Sequence, residues 1–299
     1  MNANFMLNLR KKLYGSDGVS RPWKQHPFPF KAGTRISVQK GCTIEGILPH
    51  LLVSSSFASI GSKEKMWVAT SMLVRFLGTT TNNLVVIEND EPSGLLGGSE
   101  ALENFSKNPS YSFFLDTTVE DVMSKSLYLA SSQTRIADLV EKMRKIRRDF
   151  ALVQNSEGAY STVSARRLLE AGILSESHLK VADIPRKEIC AFKRDDTIGM
   201  VISTMIRNET EILTLENTPQ YVNPQTIFEK IVELNYLEKI DNFLDLKGTA
   251  LNLKYGRIIS ENTSLPETCR IMLSMKNSFV MTSNNVVTPW DIVQALRWE

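Results

Sequence analysis

Val286-Val287-Thr288-Pro289-Trp290-Asp291-Ile292-Val293 decides how the rest of the chain is read. A short apolar run meets a helix start. Thr288 suits the N-cap, Pro289 the first helical position, where its missing N–H costs nothing, and Asp291 falls at the third. An acid there accepts from backbone donors that the first turn leaves without partners, and it favours the positive end of the helix dipole. Capping alone explains all three residues. The further reading is that a strand feeding such a helix start presents N–H groups to an anion, beside a carboxylate able to accept from a vicinal diol such as a ribose.

Working backwards, the same grammar returns three times. Tyr221-Val222-Asn223-Pro224-Gln225-Thr226-Ile227-Phe228 keeps the cap and the proline, Ser161-Thr162-Val163-Ser164-Ala165-Arg166-Arg167-Leu168 lacks the proline, and Gly94-Leu95-Leu96-Gly97-Gly98-Ser99-Glu100-Ala101 is looser. The cap positions Gly97, Ser164, Asn223 and Thr288 are 67, 59 and 65 residues apart. That period is too long for a solenoid and suits a small α/β unit.

Each copy reads strand, helix, strand, strand, helix. In the second, Leu127-Tyr128-Leu129 is extended, Ser131-Ser132 is a cap region, and Ile136, Leu139, Val140, Met143 and Ile146 stand at helical spacing. Residues 150–153 and 160–163 then form a hairpin about a turn at 155–158. Ile136/Met143, Ile198/Met205 and Leu265/Met272 share one spacing, which is core packing. The first copy predicts a helix over 62–77, a strand over 84–87, a turn over 88–94, a short strand at 95–96 and a helix over 99–105. Short leaders at 119–123 and 181–185 precede copies two and three. The fourth copy shows no leader, and 234–253 reads as a connecting helix or ordered crossover.

The expected fold class is therefore α/β (α+β). The expected divisions are a basic arm over 1–40, copies over 41–110, 111–178 and 179–234, a connecting segment over 235–253, and the fourth copy over 254–299.

Composition bounds the function. With 299 residues, 42% hydrophobic and 23% charged, the chain is an ordinary globular one. Cys42, Cys190 and Cys269 are far apart with no C-x-x-C pair, against a disulfide framework or zinc site. No apolar run approaches the roughly 18 residues of a membrane span, nor is there a signal-peptide core, so no membrane contact and a cytoplasmic location are expected. His26, His50 and His178 are scattered and the phosphate-loop and dinucleotide signatures are absent, so no enzyme is expected. Residues 1–40 carry eight Lys or Arg against one acid, Asp17, with Trp23, Phe28 and Phe30 interleaved. This arm reads either as packed across the acidic remainder or as a nucleic-acid contact.

The leaders Asp121-Val122-Met123 and Asp183-Ile184-Pro185, the four hairpins and above all Thr288-x-x-Asp291 resemble the cystathionine-β-synthase-type (CBS) domain family. The resemblance covers most of 41–299 and implies four tandem CBS repeats forming two Bateman modules. It implies a non-catalytic regulator, with no cofactor, whose ligand is AMP, ADP, ATP or S-adenosylmethionine and whose output goes to an unidentified partner protein. It further implies Asp291 on the ribose, Thr288 and the helix start toward the phosphate, and Ile258, Ile259 and Ser260 along the adenine pocket. Arg207 and Lys276 fall near where the family places basic phosphate contacts, as Arg147 and Arg148 do in the first module. Glu100, Arg167 and Thr226 occupy the other three acid positions: the first lengthens the arm, the second inverts the charge, the third accepts weakly. One nucleoside site, between the third and fourth repeats, is the expectation. Module pairing within one chain and in a homodimer both stay open. So does a second function class, a scaffold or nucleic-acid-binding protein that uses residues 1–40.

Overall fold

The computed structural model describes residues 42–47, 57–77, 83–155, 158–175, 177–185, 189–233, 242–283 and 285–296. All lie in the compact unit Ser37–Glu299. The basic arm over 1–40 and the larger part of the connecting segment's first half, 234–241, lie outside the described residues.

A short helix α1 (Ile44–Ile47) precedes the first repeat, which consists of β1 (Ser59–Gly61), α2 (Met66–Phe76), β2 (Asn83–Glu88), β3 (Glu91–Gly97) and α3 (Gly98–Lys107). Two short helices, α4 (Tyr111–Leu115) and α5 (Val119–Val122), lead to the second: β4 (Leu129–Ser131), α6 (Ile136–Lys145), β5 (Phe150–Gln154), β6 (Tyr160–Ser164) and α7 (Ala165–Leu174). The third holds β7 (Ala191–Phe192), α8 (Ile198–Arg207), β8 (Leu213–Leu215), β9 (Gln220–Val222) and α9 (Pro224–Val232). After β10 (Lys254–Tyr255), the fourth holds β11 (Arg257–Ile258), α10 (Leu265–Ser274), β12 (Val280–Met281), β13 (Val286–Val287) and α11 (Pro289–Ala295). In every repeat the first strand runs parallel to the second, across a helical crossover, and the second pairs antiparallel with the third. The third sheet gains β10 at its edge.

The first hairpin is tighter than its composition suggests. Only Asn89 and Asp90 turn, both at positive φ (51° and 65°), as a two-residue hairpin loop requires. Pro92, Ser93 and Gly94, expected in the turn, belong to β3. Pro92 is tolerated there because β3 is an edge strand and the register shifts between Val86 and Ile87.

The repeats of each pair exchange their leaders. Ile44 of α1, fully buried, packs in the core of the second repeat against Ile136 and Met143. In return α5 joins the first repeat, where Met66 donates its N–H to the Thr117 carbonyl at 3.0 Å. The second pair repeats the exchange: Leu265 donates to the Leu179 carbonyl at 2.9 Å, and Ile198 to that of Leu246 at 2.8 Å. The fourth repeat therefore does have a leader. It is the 3-10 turn Gly248–Ala250, paired through Lys247 with Thr197, inside the stretch expected to be a connecting helix or ordered crossover. A Cβ at Gly248 would stand 3.0 Å from Val201 and 3.1 Å from Phe192, so a small residue lets this turn sit close on the third repeat. Burying a side chain such as Ile44 contributes about 1.5–3 kcal/mol, so the exchange ties each pair together.

The two pairs also close on each other within one chain. Gln225 of α9 donates to the Val74 carbonyl of α2 at 2.8 Å, and a Cβ at Gly98 would meet Pro224 at 2.6 Å. On the other side, Leu169 of α7 lies in the core of the fourth repeat, and Val293 of α11 in that of the second.

Candidate functional site

Four helix starts, one per repeat, share a position but not its chemistry. At α11, Asp291 is buried (6% exposed), and its Oδ2 accepts from Thr288 N–H at 2.8 Å and Thr288 Oγ1 at 2.6 Å, while Asp291 N–H returns to Thr288 Oγ1 at 3.4 Å. At α9 the Thr226 hydroxyl donates to the Asn223 carbonyl at 2.7 Å and accepts from the Asn223 N–H. At α7 the Arg167 guanidinium turns to Glu170 at 3.2 Å. At α3 one Glu100 oxygen accepts from the Gly97 N–H at 3.1 Å, and the other is held by Arg148. A carboxylate has about four acceptor sites and a threonine hydroxyl two, so Asp291 and Thr226 differ in what they can offer a diol.

All four starts line one cavity of about 1130 Å³: Ser99 and Glu100 of α3, Ser164 and Arg166 at α7, Asn223, Pro224 and Gln225 at α9, and Thr288, Pro289 and Trp290 at α11. Four positive helix ends thus face one space. The wall also carries Arg144, Arg147, Arg148, Glu103, Asp149, Glu209 and Glu211. Arg147 and Glu209 follow α6 and α8 in matching left-handed conformations (φ 54° and 47°) and pair at 3.4 Å, an exposed contact that adds little stability.

Two charged groups of the wall are strongly perturbed. Burial, with Arg167 adjacent, pushes the Arg166 guanidinium down to about 10, still protonated at neutral pH. It donates to the carbonyls of Lys276 and Met275 at 2.8 Å each and of Leu273 at 3.4 Å, capping the end of α10 from the second repeat. Glu211 is exposed to the cavity that it lines, with enough protein around the carboxyl to weaken its solvation. Desolvation therefore dominates and pushes its carboxyl up to about 7; Asp149 and Glu100 add to the rise, while the Ser99 hydroxyl, at 3.0 Å, and Arg148 oppose it.

No family model matches the sequence, and no curated protein is a significant match. Solved structures do match in fold. A protein of Methanocaldococcus jannaschii, described as a candidate archaeal homologue of γ-AMPK, aligns over 83% of this chain and 99% of its own, with 11% identity and a TM-score of 0.70. An uncharacterised conserved protein of Pyrococcus horikoshii aligns over 82% and 97%, with 8% identity and a TM-score of 0.50. The CBS domain pair of protein MJ0100, crystallised with 5′-methylthioadenosine and S-adenosylmethionine, aligns over 42% and 92%, with 15% identity and a TM-score of 0.34. The chain has the CBS fold, four copies in tandem.

The CBS repeats place the expected site residues unevenly. Thr288 is on the cavity wall and bonded to Asp291. Ile258 is 60% exposed, a large apolar side chain turned out of the core of CBS 4. Ile259 instead packs into that core, and the Ser260 hydroxyl accepts from the Asn262 N–H at 3.2 Å in the following turn. Arg207 ends α8 and Lys276 follows α10; both are exposed and neither is among the residues lining the cavity, whereas Arg147 and Arg148 are. The motif itself is not unique: Thr118-x-x-Asp121 makes the same box at 2.9 and 2.6 Å, but on the four-residue leader α5 and away from the cavity lining. Glu211, Asp149 and Arg166 went unread in the sequence because packing between CBS repeats, not local pattern, brings them together. Among the described residues there is no group of His, Cys, Asp and Glu able to hold a metal ion and no helix long and apolar enough to cross a membrane.

Proposed function

We propose that this protein is a non-catalytic regulator that binds an adenosine compound in the cleft between CBS 3 and CBS 4 and passes its occupancy to a partner protein. Asp291 accepts from the ribose hydroxyls, the start of α11 at Thr288 receives the 5′ end, and Ile258 packs against the base. The observation that carries this reading is the fate of the four equivalent positions. At three of them the side chain is a glutamate paired with Arg148, an arginine or a threonine hydroxyl, whereas the fourth is Asp291, a buried carboxylate bonded to Thr288, which itself lines the cavity. A ligand bridging the two repeats shifts a conformational equilibrium only by its differential affinity for the two states, so the partner responds to the pair's closure.

Titration calorimetry of AMP and S-adenosylmethionine against wild type and Asp291→Asn tests the site. Asparagine keeps a side-chain acceptor for the Thr288 cap but cannot serve two ribose hydroxyls as a carboxylate does. Loss of binding in a variant that melts normally is expected; unchanged affinity would remove Asp291 from the site.

A further inference from the structure

The segment that opens CBS 4 begins in the other pair of repeats. Phe243 is fully buried, and its ring lies edge-on to Phe105 of α3, 6.0 Å between centroids. Phe105 also holds Phe113 and Phe114 of α4, at 5.7 and 5.3 Å. Three rings of this cluster belong to CBS 1 and the linker that follows it. The fourth is supplied by the linker of the second pair.

From that anchor the chain runs along CBS 3 until it becomes the opening strand of CBS 4. The Leu246 carbonyl accepts from the Ile198 N–H at 2.8 Å, and the Gly248 N–H donates to the Asp196 carbonyl at 2.7 Å. Lys254 pairs with Tyr221 at the edge of the third sheet, and its ammonium reaches Gln225 and Glu229 of α9 at 3.2 and 3.1 Å. Gly256 donates to the Pro219 carbonyl at 2.8 Å, and two residues later Ile258 pairs with Met281. Close approaches fall at glycines. A Cβ at Gly199 would lie 3.3 Å from the Leu244 carbonyl oxygen, one at Gly248 would lie 3.0 Å from Val201, and one at Gly256 would overlap the Met281 sulfur.

A stretch packed this tightly cannot yield piecemeal, because close-packed elements move between discrete arrangements. Its two ends differ in kind. Phe243 is locked in an aromatic core, whereas Ile258 is a large apolar side chain left 60% exposed. We propose that residues 243–258 form a strap that couples the ligand site of CBS 4 to CBS 1, so that covering Ile258 at one end changes how firmly α3 is held at the other. This rests on the reading that the base of the ligand lies on Ile258. The coupling is reciprocal, since two linked sites share one coupling free energy. An anchored strap holds Ile258 in place for the base, and CBS 1 is the repeat that receives the signal.

The test is hydrogen exchange read by mass spectrometry on the full chain, with and without saturating S-adenosylmethionine or AMP, alongside calorimetry of the same two compounds. Wild type is compared with Phe243→Leu and with Phe114→Leu, which replaces a ring of the same cluster outside the strap; thermal melting verifies that both variants are folded. Ligand is expected to slow exchange in α3 by at least about threefold in wild type and in Phe114→Leu. Phe243→Leu should lose that response and bind at least about fivefold more weakly. A compound that binds wild type but leaves α3 exchange unchanged overturns the strap while the adenosine site stands. So does a Phe243→Leu variant that keeps both response and affinity, or a Phe114→Leu variant that loses them equally. If neither compound binds wild type, the site reading and the strap fall together.

Discussion

Arg166 of CBS 2 donates to the backbone carbonyl of Lys276 in CBS 4 at 2.8 Å, so the end of one repeat's helix is capped by a cation from the other pair. The guanidinium also reaches Met275 and Leu273, satisfying carbonyls that a helix end leaves without intrahelical partners.

Removing that cap should loosen the two pairs. Arg166→Ala is expected to lower stability by about 2–3 kcal/mol, the range for hydrogen bonds to a charged group together with orphaned carbonyls. Arg166→Lys should fall between, because a point charge cannot serve three acceptors as a planar fork does. Urea unfolding checks both; a loss within about 0.5 kcal/mol for the alanine variant would show that the contact is incidental.

The opposite side of the cavity depends on a glycine. A Cβ at Gly98 would stand 2.6 Å from the Pro224 Cβ, and neither a helix backbone nor a proline ring yields easily. Gly98→Ala should therefore cost about 1–3 kcal/mol as an overpacked contact, despite alanine's better helix propensity. A variant as stable as wild type in thermal melts would show that CBS 1 and CBS 3 can part without cost.

Proton binding at Glu211 gives stability a specific pH dependence. Its folded value is raised to about 7 from an ordinary 4.5. Below 4.5 both folded and unfolded forms hold the proton; between 4.5 and about 7 the unfolded chain releases it while the folded chain retains it. Stability is therefore lost as pH rises through that window and levels off above it. The groups that set the shift are Asp149 and Glu100 on the acid side, with Arg148 and the Ser99 hydroxyl opposing. Glu211→Gln should remove this component, so the urea midpoint of wild type relative to the variant should decline from pH 5 to pH 8. A pH-independent difference would contradict the assignment.

Much of the fold could be read from the chain. Apolar spacing located the first helix of each repeat, as with Ile136, Leu139, Val140 and Met143, all buried, because helical periodicity reports a buried face directly. Helix starts were harder. Ser131-Ser132 looked like a cap for α6, yet the cap position is Arg135, which makes no side-chain cap. The Ile136 N–H is instead satisfied by the Cys42 carbonyl of the exchanged leader, at 3.1 Å. Backbone pairing of this kind leaves no residue signature, and for the same reason the leader of CBS 4 at Gly248–Ala250 was illegible. The capping box of Thr288 and Asp291 could be read because capping chemistry is local. The cavity acids could not, since Asp149 and Glu211 meet only through the packing of CBS 2, CBS 1 and CBS 3.

The account's central claim is a single adenosine site, at Thr288 and Asp291, the one of the four equivalent positions that carries an aspartate. Titration calorimetry of S-adenosylmethionine and of adenosine against the wild-type chain measures this directly through stoichiometry. One ligand bound per chain, and none in Asp291→Asn, is the predicted result. Two or more per chain, or one that persists in the variant, would place the binding at Glu100, Arg167 or Thr226 and contradict the claim.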